Sequence, residues 1–231
     1  TLRRFALLVV PLLAPAALGR KPTAGTVRLH LPFSVGALDP HLADDATSAL
    51  FAAAVADPLF AFDASFHPYP ALAEALPEAV PGGARVVLRP GLVTARGRSL
   101  DARDVAASIQ RARTRAGRGL LAAFGEPHVT PSKPLAVVVP GASPDTLAAA
   151  LASPVTAILP RGFDPDEPDG TGAFRATRTE SGLTLVRNER AARGPAFLDR
   201  LEVHRTADLA SALRAFESGD ADVGWLGAGL H

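Results

Sequence analysis

Apolar and polar residues alternate from Thr26 to Leu31, with Val27, Leu29 and Leu31 on one side and Arg28 and His30 on the other. A period of two marks a half-buried strand. Residues 32–41 (PFSVGALDPH) break the pattern with two prolines and a glycine. From Asp45 the spacing changes, and Leu50, Phe51, Ala54 and Val55 fall on one face of a helix that must stop near Asp57, because Pro58 restricts the residue before it. Residues 69–78 (YPALAEALPE) predict one or two helical turns, and residues 85–92 a strand. The clearest helix start follows. Asp101 can cap it, Asp104 sits three residues on, and Ala102, Val105, Ala106 and Ile109 line one face. Both carboxylates also oppose the positive end of the helix dipole. Residues 111–133, with four arginines and scattered glycine and proline, read as surface.

Further along, residues 135–141 predict a short buried strand, followed by a helix with Ser143 as cap and Pro144 at its first position. After the loop 160–172, strands are expected at 173–178, 183–188 and 201–204. A last helix should run from Thr206 as cap, through Leu209, Leu213 and Phe216, to Gly219 as terminator. Residues 221–225 (ADVGW) then predict one more strand. Strands alternate with helices over most of the length, which makes the fold class α/β.

Composition narrows the function classes. Of 231 residues 48% are hydrophobic and 20% charged, enough apolar material to fold rather than stay disordered. Lysine plus arginine number 24 against 23 acidic residues, so no net field steers the chain toward nucleic acid. Cysteine is absent, which removes disulfides, thiolate metal sites, a cysteine nucleophile and a lipid-modified cysteine anchor. At the start, Arg3 and Arg4 precede an apolar run from Phe5 to Leu13 and then small residues, the three regions of a secretory signal cleaved after Gly19. That run is shorter than the ~20 residues a membrane-crossing helix needs. Paired arginines also suggest a twin-arginine signal, but Phe5 follows them directly and the spacing is not met.

Reactive chemistry is hard to find. The six histidines (His30, His41, His67, His128, His204 and His231) are isolated, with no helical i, i+4 pair and no H-E-x-x-H, so no resident metal or cofactor is expected. A chelated metal, whose chelator supplies most ligands, would need only one. Ser143 in GASPD lacks the elbow of a hydrolase nucleophile and reads as a helix cap. The GTG at 170–172 lacks the third glycine and the lysine of a phosphate loop. Asp164, Asp166, Glu167 and Asp169 miss the spacing of a calcium loop and read as solvated. Trp225 stands on the last expected strand, where an indole mainly supplies buried area.

Six segments, in order, resemble the family 5 extracytoplasmic solute-binding proteins of peptide and nickel ABC importers. They are LDPH (38–41), PALAEALPEA (70–79, with Leu76 where tryptophan is usual), the stretch 86–111 ending in DVAASIQR, DGTGAF (169–174), LTLVRNE (183–189) and ALRAFESGDADV (212–223). The aromatic pair expected after RN is replaced by Ala191 and Ala192. The resemblance implies a periplasmic-binding-protein type II-like lobe with a mixed sheet and an inserted α/β subdomain. Residues 20–55 plus 160–231 would form the main lobe and 56–159 the insert. The second lobe would be missing, because the sequence ends at His231 where the crossover to it should begin.

It also implies a noncatalytic, periplasmic protein with no catalytic residue. Its ligand would be a peptide or metal chelate and its partner an ABC transporter permease. Positions aligned with the family's cleft are Ala43, Ser48, Leu120, Thr156 and Trp225. Gly170 and Gly172 would supply permissive backbone angles where the chain re-enters the main sheet. Phe174 would anchor the new strand, its burial stabilising by about 1.5–3 kcal/mol. Alternatively, an exported single lobe would dock onto a protein partner through the face a second lobe would cover.

Overall fold

The computed structural model describes residues 24–42, 45–130 and 132–224. The expected signal at 1–19 and the candidates Ala43 and Trp225 lie outside the described residues. The alternating stretch at the start forms strand β1 (Thr26–Leu31), and helix α1 (Ala46–Val55) follows, capped by Asp45, whose side chain accepts from the Ser48 backbone N–H. Next come β2 (Phe60–Phe62), β3 (Pro68–Pro70), β4 (Glu78–Val80) and β5 (Gly83–Val87). Helices α2 (Ala102–Arg113) and α3 (Arg118–Leu121) precede β6 (His128–Val129) and β7 (Ala136–Pro140). Then follow α4 (Pro144–Ala150), a 3-10 turn (Pro154–Thr156), β8 (Phe174–Thr179), β9 (Gly182–Arg187), β10 (Arg200–Arg205) and α5 (Leu209–Glu217).

Two four-stranded sheets and one hairpin result. The first sheet is mixed, in the order β1-β10-β9-β8, with β1 parallel to β10 and the other pairs antiparallel. Its register places Leu29 beside Val203 and Val203 beside Leu183, so an apolar row crosses these three strands. That row packs with Leu31, Leu185 and Ala176 against Leu38 and against Phe51 and Val55 of α1. The second sheet, β4-β5-β7-β6, is antiparallel, and β2 pairs with β3. Val86, Val137 and Val139 of this sheet share a core with Val105 and Ile109 of α2 and Leu147 and Leu151 at α4. Each fully buried side chain of this size contributes about 1.5–3 kcal/mol. No helix among the described residues is long and apolar enough to cross a membrane.

Helix α2 starts as its sequence predicts. Asp101 accepts from the Asp104 backbone N–H while the Asp104 side chain accepts from the Asp101 N–H, a reciprocal capping box. Helix α4 has the same device in Ser143 and Thr146, with Pro144 in its first turn.

Four expectations need correction. Residues 69–78 contain no helix. The N–H groups of Ala71, Leu72 and Ala73 all donate to the Leu59 carbonyl, just before β2, and Glu74 donates to Val87 of β5, so distant backbone takes the donors a helix would use internally. In α1 the buried set is Thr47, Ser48, Phe51, Ala52 and Val55, and Leu50 is 57% exposed, because the start of the helix turns toward the preceding loop. The cap of α5 is Asp208, which accepts from Ser211 at 2.7 Å, while the Thr206 hydroxyl donates to the Leu31 carbonyl and ties the helix entry to β1. Residues 111–133 are only partly surface, since α3 buries Leu121 and the following turn buries Phe124 in the second core.

The GTG turn has a different basis from the one expected. Neither Gly170 nor Gly172 has a positive φ. A Cβ at Gly172 would instead lie 2.5 Å from the Ala54 oxygen, and one at Gly170 would collide with the Val55 oxygen. Both glycines exist because the turn presses against the end of α1, where the Gly172 N–H donates to the Val55 carbonyl at 2.8 Å. Phe174 is half-buried against the first core, so it supplies only part of the anchoring, and Ala176 is fully covered.

Candidate functional site

The turn after β1 is held by charge. Asp39 is buried and accepts two hydrogen bonds from Arg111, in the last turn of α2, at 2.7 and 2.5 Å, as well as the His41 backbone N–H at 3.0 Å. Burial pushes the Asp39 carboxyl up, but the Arg111 pair and the His41 N–H outweigh it and hold the group below the ordinary aspartate range. The His41 ring is fully buried, and its Nε2 lies 2.8 Å from the Ala157 carbonyl. Burial lowers its pKa, and the nearby Arg111 and Arg115 charges add to that against the pull of Ala157 and Asp39. The neutral ring therefore carries its proton on Nε2 and donates it to Ala157, and Nδ1 is buried without a hydrogen-bond partner among the described residues. The His41 carbonyl accepts from the Ala116 N–H at 2.9 Å. Turn 38–42, the α2–α3 junction and the 3-10 turn thus converge on one histidine.

Beside this junction runs a groove of about 340 Å³ between α2 and residues 159–163, lined by Ser108, Arg111, Arg161 and Phe163 among others. Asp104, beneath its Arg161 side, anchors that wall. It is buried and accepts from the Arg161 backbone N–H at 2.9 Å, from Arg161 Nε at 3.0 Å and from the Asp101 N–H at 2.9 Å. Ser108 Oγ donates to the Asp104 carbonyl and accepts from the Leu159 N–H. Arg111 also lies over the Phe163 ring, 6.0 Å from its centroid. Both guanidinium groups in the groove are already matched by carboxylates, so it binds chain to chain.

A third buried carboxyl belongs to the GTG turn. Asp57, just after α1, accepts from the Thr171 hydroxyl at 2.8 Å. Burial pushes its pKa up, and the Thr171 bond and the more distant Arg193 and Arg89 charges offset that only in part. Asn188 completes the hub, its Nδ2 donating to the Gly172 carbonyl at 2.8 Å.

The sequence candidates among the described residues, Ser48, Thr156 and Leu120, do not share any of the pockets described. Ser48 is buried, and its hydroxyl donates to Asp45 at 2.6 Å. Thr156 is buried, and its hydroxyl faces the Ala150 and Ser153 carbonyls at 3.1 and 2.8 Å. Leu120 is 44% exposed and lines an open, mainly apolar groove of about 690 Å³ with Ala123, Phe124, Gly141 and Ala149. The structure links the segments rather than the side chains: His41 bonds to Ala157, next to Thr156, and to Ala116, one turn before Leu120. Asp39, Arg111, Asp57 and Thr171 were not among the candidates. Asp39 and His41 stand inside the quoted LDPH segment, but no local pattern announces a partner such as Arg111, 72 residues away. Among the described residues, no group of three or more His, Cys, Asp or Glu is arranged to hold a metal ion.

The family described as bacterial extracellular solute-binding proteins, family 5 Middle, matches residues 67–229. Among solved structures, NikA from Brucella suis in complex with Fe(III)-EDTA is 25% identical with a TM-score of 0.72, the match covering 86% of this chain and 43% of that one. A nickel ABC transporter from Bacillus halodurans is also 25% identical, with a TM-score of 0.69 and coverage of 85% and 42%. The oligopeptide-binding protein AppA from Bacillus subtilis, in complex with a nonapeptide, shares the fold at 18% identity, with a TM-score of 0.73 and coverage of 86% and 43%. This chain spans less than half the length of these three. No curated protein sequence matches it. The mixed sheet is that of a periplasmic-binding-protein type II lobe. With the family match extending over most of its length, the chain belongs to the bacterial extracellular solute-binding proteins of family 5.

Proposed function

We propose that the chain is one lobe of a protein that captures a peptide or a metal chelate in the periplasm and delivers it to the permease of an ABC importer, without a chemical step of its own. The observation that carries this is the family match over residues 67–229, joined to a fold shared with nickel- and peptide-type proteins. The B. suis protein with its Fe(III)-EDTA supports a chelate, and AppA with its nonapeptide supports a peptide. In this reading residues 20–55 and 160–231 form the lobe, 56–159 the inserted subdomain and 1–19 an export signal. In this reading the ligand sits on the face where turn 38–42, α3 and the 3-10 turn meet, and the family-aligned positions Ala43, Ser48, Leu120, Thr156 and Trp225 are its proposed contacts. Ser48 and Thr156, whose hydroxyls are engaged internally, shape the backbone of that face, and Leu120 supplies exposed apolar contact.

Calorimetric titration with a random peptide pool, Ni(II)–histidine and Fe(III)-EDTA tests the proposal. Saturable heat with one of these, weakened about tenfold by Leu120→Asp, is expected; turnover of a peptide substrate by the purified protein contradicts it. A second reading, docking onto a protein partner, is favoured by the exposure of Leu209, Phe216 and Val223 on α5 and the segment after it. Equilibrium sedimentation separates the two: a monomer that binds solute counts against docking.

A further inference from the structure

Away from that face, a second polar pocket of about 270 Å³ lies where the ends of β8 and β9 meet the turn at 95–97; it is lined by Ala95, Arg175, Arg187, Asn188, Glu189 and Arg190. Three guanidinium groups share this small space. Arg187 is already neutralised, its Nε lying 2.8 Å from Glu189 and its Nη2 2.8 Å from Asp199. Arg175 and Arg190 are not. Among the described residues neither has a carboxylate partner, and Arg190 Nη1 reaches only the Ala95 carbonyl, at 3.4 Å. Two cationic groups thus stand uncompensated in a chain whose formal net charge is +1.

The frame around them is rigid. Asn188 is buried, its Nδ2 bonded to the Gly172 carbonyl and its Oδ1 accepting the Arg190 backbone N–H at 2.9 Å. Opposite, the Ala95 N–H donates to the Gly170 carbonyl at 2.9 Å and the Arg96 N–H to Asp169 at 3.0 Å. A ligand entering here does not have to order either wall, and this preorganisation lowers the cost of binding. Guanidinium forks match oxyanions in geometry as well as charge.

We propose that this pocket binds a phosphate oxyanion between Arg175 and Arg190, over the Asn188–Arg190 turn. Charge favours phosphate over a simple carboxylate, since two uncompensated cations match the roughly −1.5 to −2 of a phosphate monoester near neutral pH. Glu189 stays with Arg187 and leaves the pocket open. The phosphate is either free in solution or the headgroup of an anionic lipid. Neither source depends on the solute-binding face, so the two proposals stand or fall separately.

Titrating the protein with inorganic phosphate at constant ionic strength, followed by arginine Nε–H shifts, reads the site directly. Arg175→Ala and Arg190→Ala should each weaken binding on the order of tenfold, the loss expected for one charge-assisted contact. Arg103→Ala, on the exposed side of α2, should leave it unchanged. Flotation with vesicles of phosphatidylcholine, with and without phosphatidic acid, separates the sources. Saturable, variant-sensitive binding of phosphate supports the free anion, and variant-sensitive binding confined to phosphatidic acid vesicles supports the headgroup. No saturable binding in either arm, or equal weakening by Arg103→Ala and Arg190→Ala, overturns the proposal.

Discussion

Asp57 and Thr171 show how much of this fold rests on single polar contacts. Thr171 is fully buried and, among the described residues, gives the Asp57 carboxyl its one hydrogen bond. Thr171→Val keeps the shape and removes that donor, so it should destabilise the protein by about 1–3 kcal/mol in urea unfolding. The pH dependence has a definite sign. The folded-state pKa of Asp57 is raised above its unfolded value of about 3.9. Its contribution is therefore fully present below that value and is lost as pH rises through the folded pKa. Asp57→Asn removes this loss, so its stability relative to the wild type should climb with pH across the acid range and then level off. Gly172→Ala belongs to the same hub. Backbone on the α1 side leaves no room for a methyl group, so a cost of about 1–3 kcal/mol or more is expected.

Single elements obey local signals where the signal is self-contained. Ser143→Ala should cost about 0.5–2 kcal/mol, because the α4 cap is lost while the helix stays packed through Leu147; thermal or urea unfolding reads this directly. Strand β1 and both capping-box helices were legible for that reason: their alternation, caps and proline act within four residues. Segment 69–78 was not legible, since its apolar spacing suits a helix but its backbone donors go to the carbonyls of Leu59, just before β2, and Val87, at the end of β5. In the same way the GTG residues were visible as a turn, while their purpose, close contact with α1, depends on a neighbour more than 100 residues away. The candidate site is half-visible in the sequence: LDPH stands out, whereas its engagement by Arg111 and Ala157 depends on partners 72 and 116 residues away.

The pairing of β1 with β10 adds a pH signature at the element scale. His30 and His204 sit directly opposite, with ring centroids 5.1 Å apart. Burial lowers the His30 pKa and the His204 ring adds to it, while Asp220 opposes. A histidine whose folded pKa is depressed stabilises above its unfolded pKa of about 6.5 and loses that contribution as pH falls below it. His41 acts in the same direction. His30→Gln should therefore flatten part of the stability loss on acidification below pH 6.5, and a variant that loses stability as steeply as the wild type would remove His30 from the account.

For the whole molecule, the two larger cores are stitched together by polar seams at Asp39–Arg111, Asp104–Arg161 and Asp57–Thr171, which join the first sheet and its flanking loops to the elements between α1 and β8. Such seams fix where the 38–42 turn, α3 and the 3-10 turn stand relative to one another, which is what a binding face requires. The most direct measurement is hydrogen exchange with and without a saturating amount of whichever solute calorimetry identifies among the peptide pool, Ni(II)–histidine and Fe(III)-EDTA. Protection gathered at residues 38–42, 116–121 and 154–158 is the predicted result. Protection that spares all three segments and appears elsewhere would contradict it.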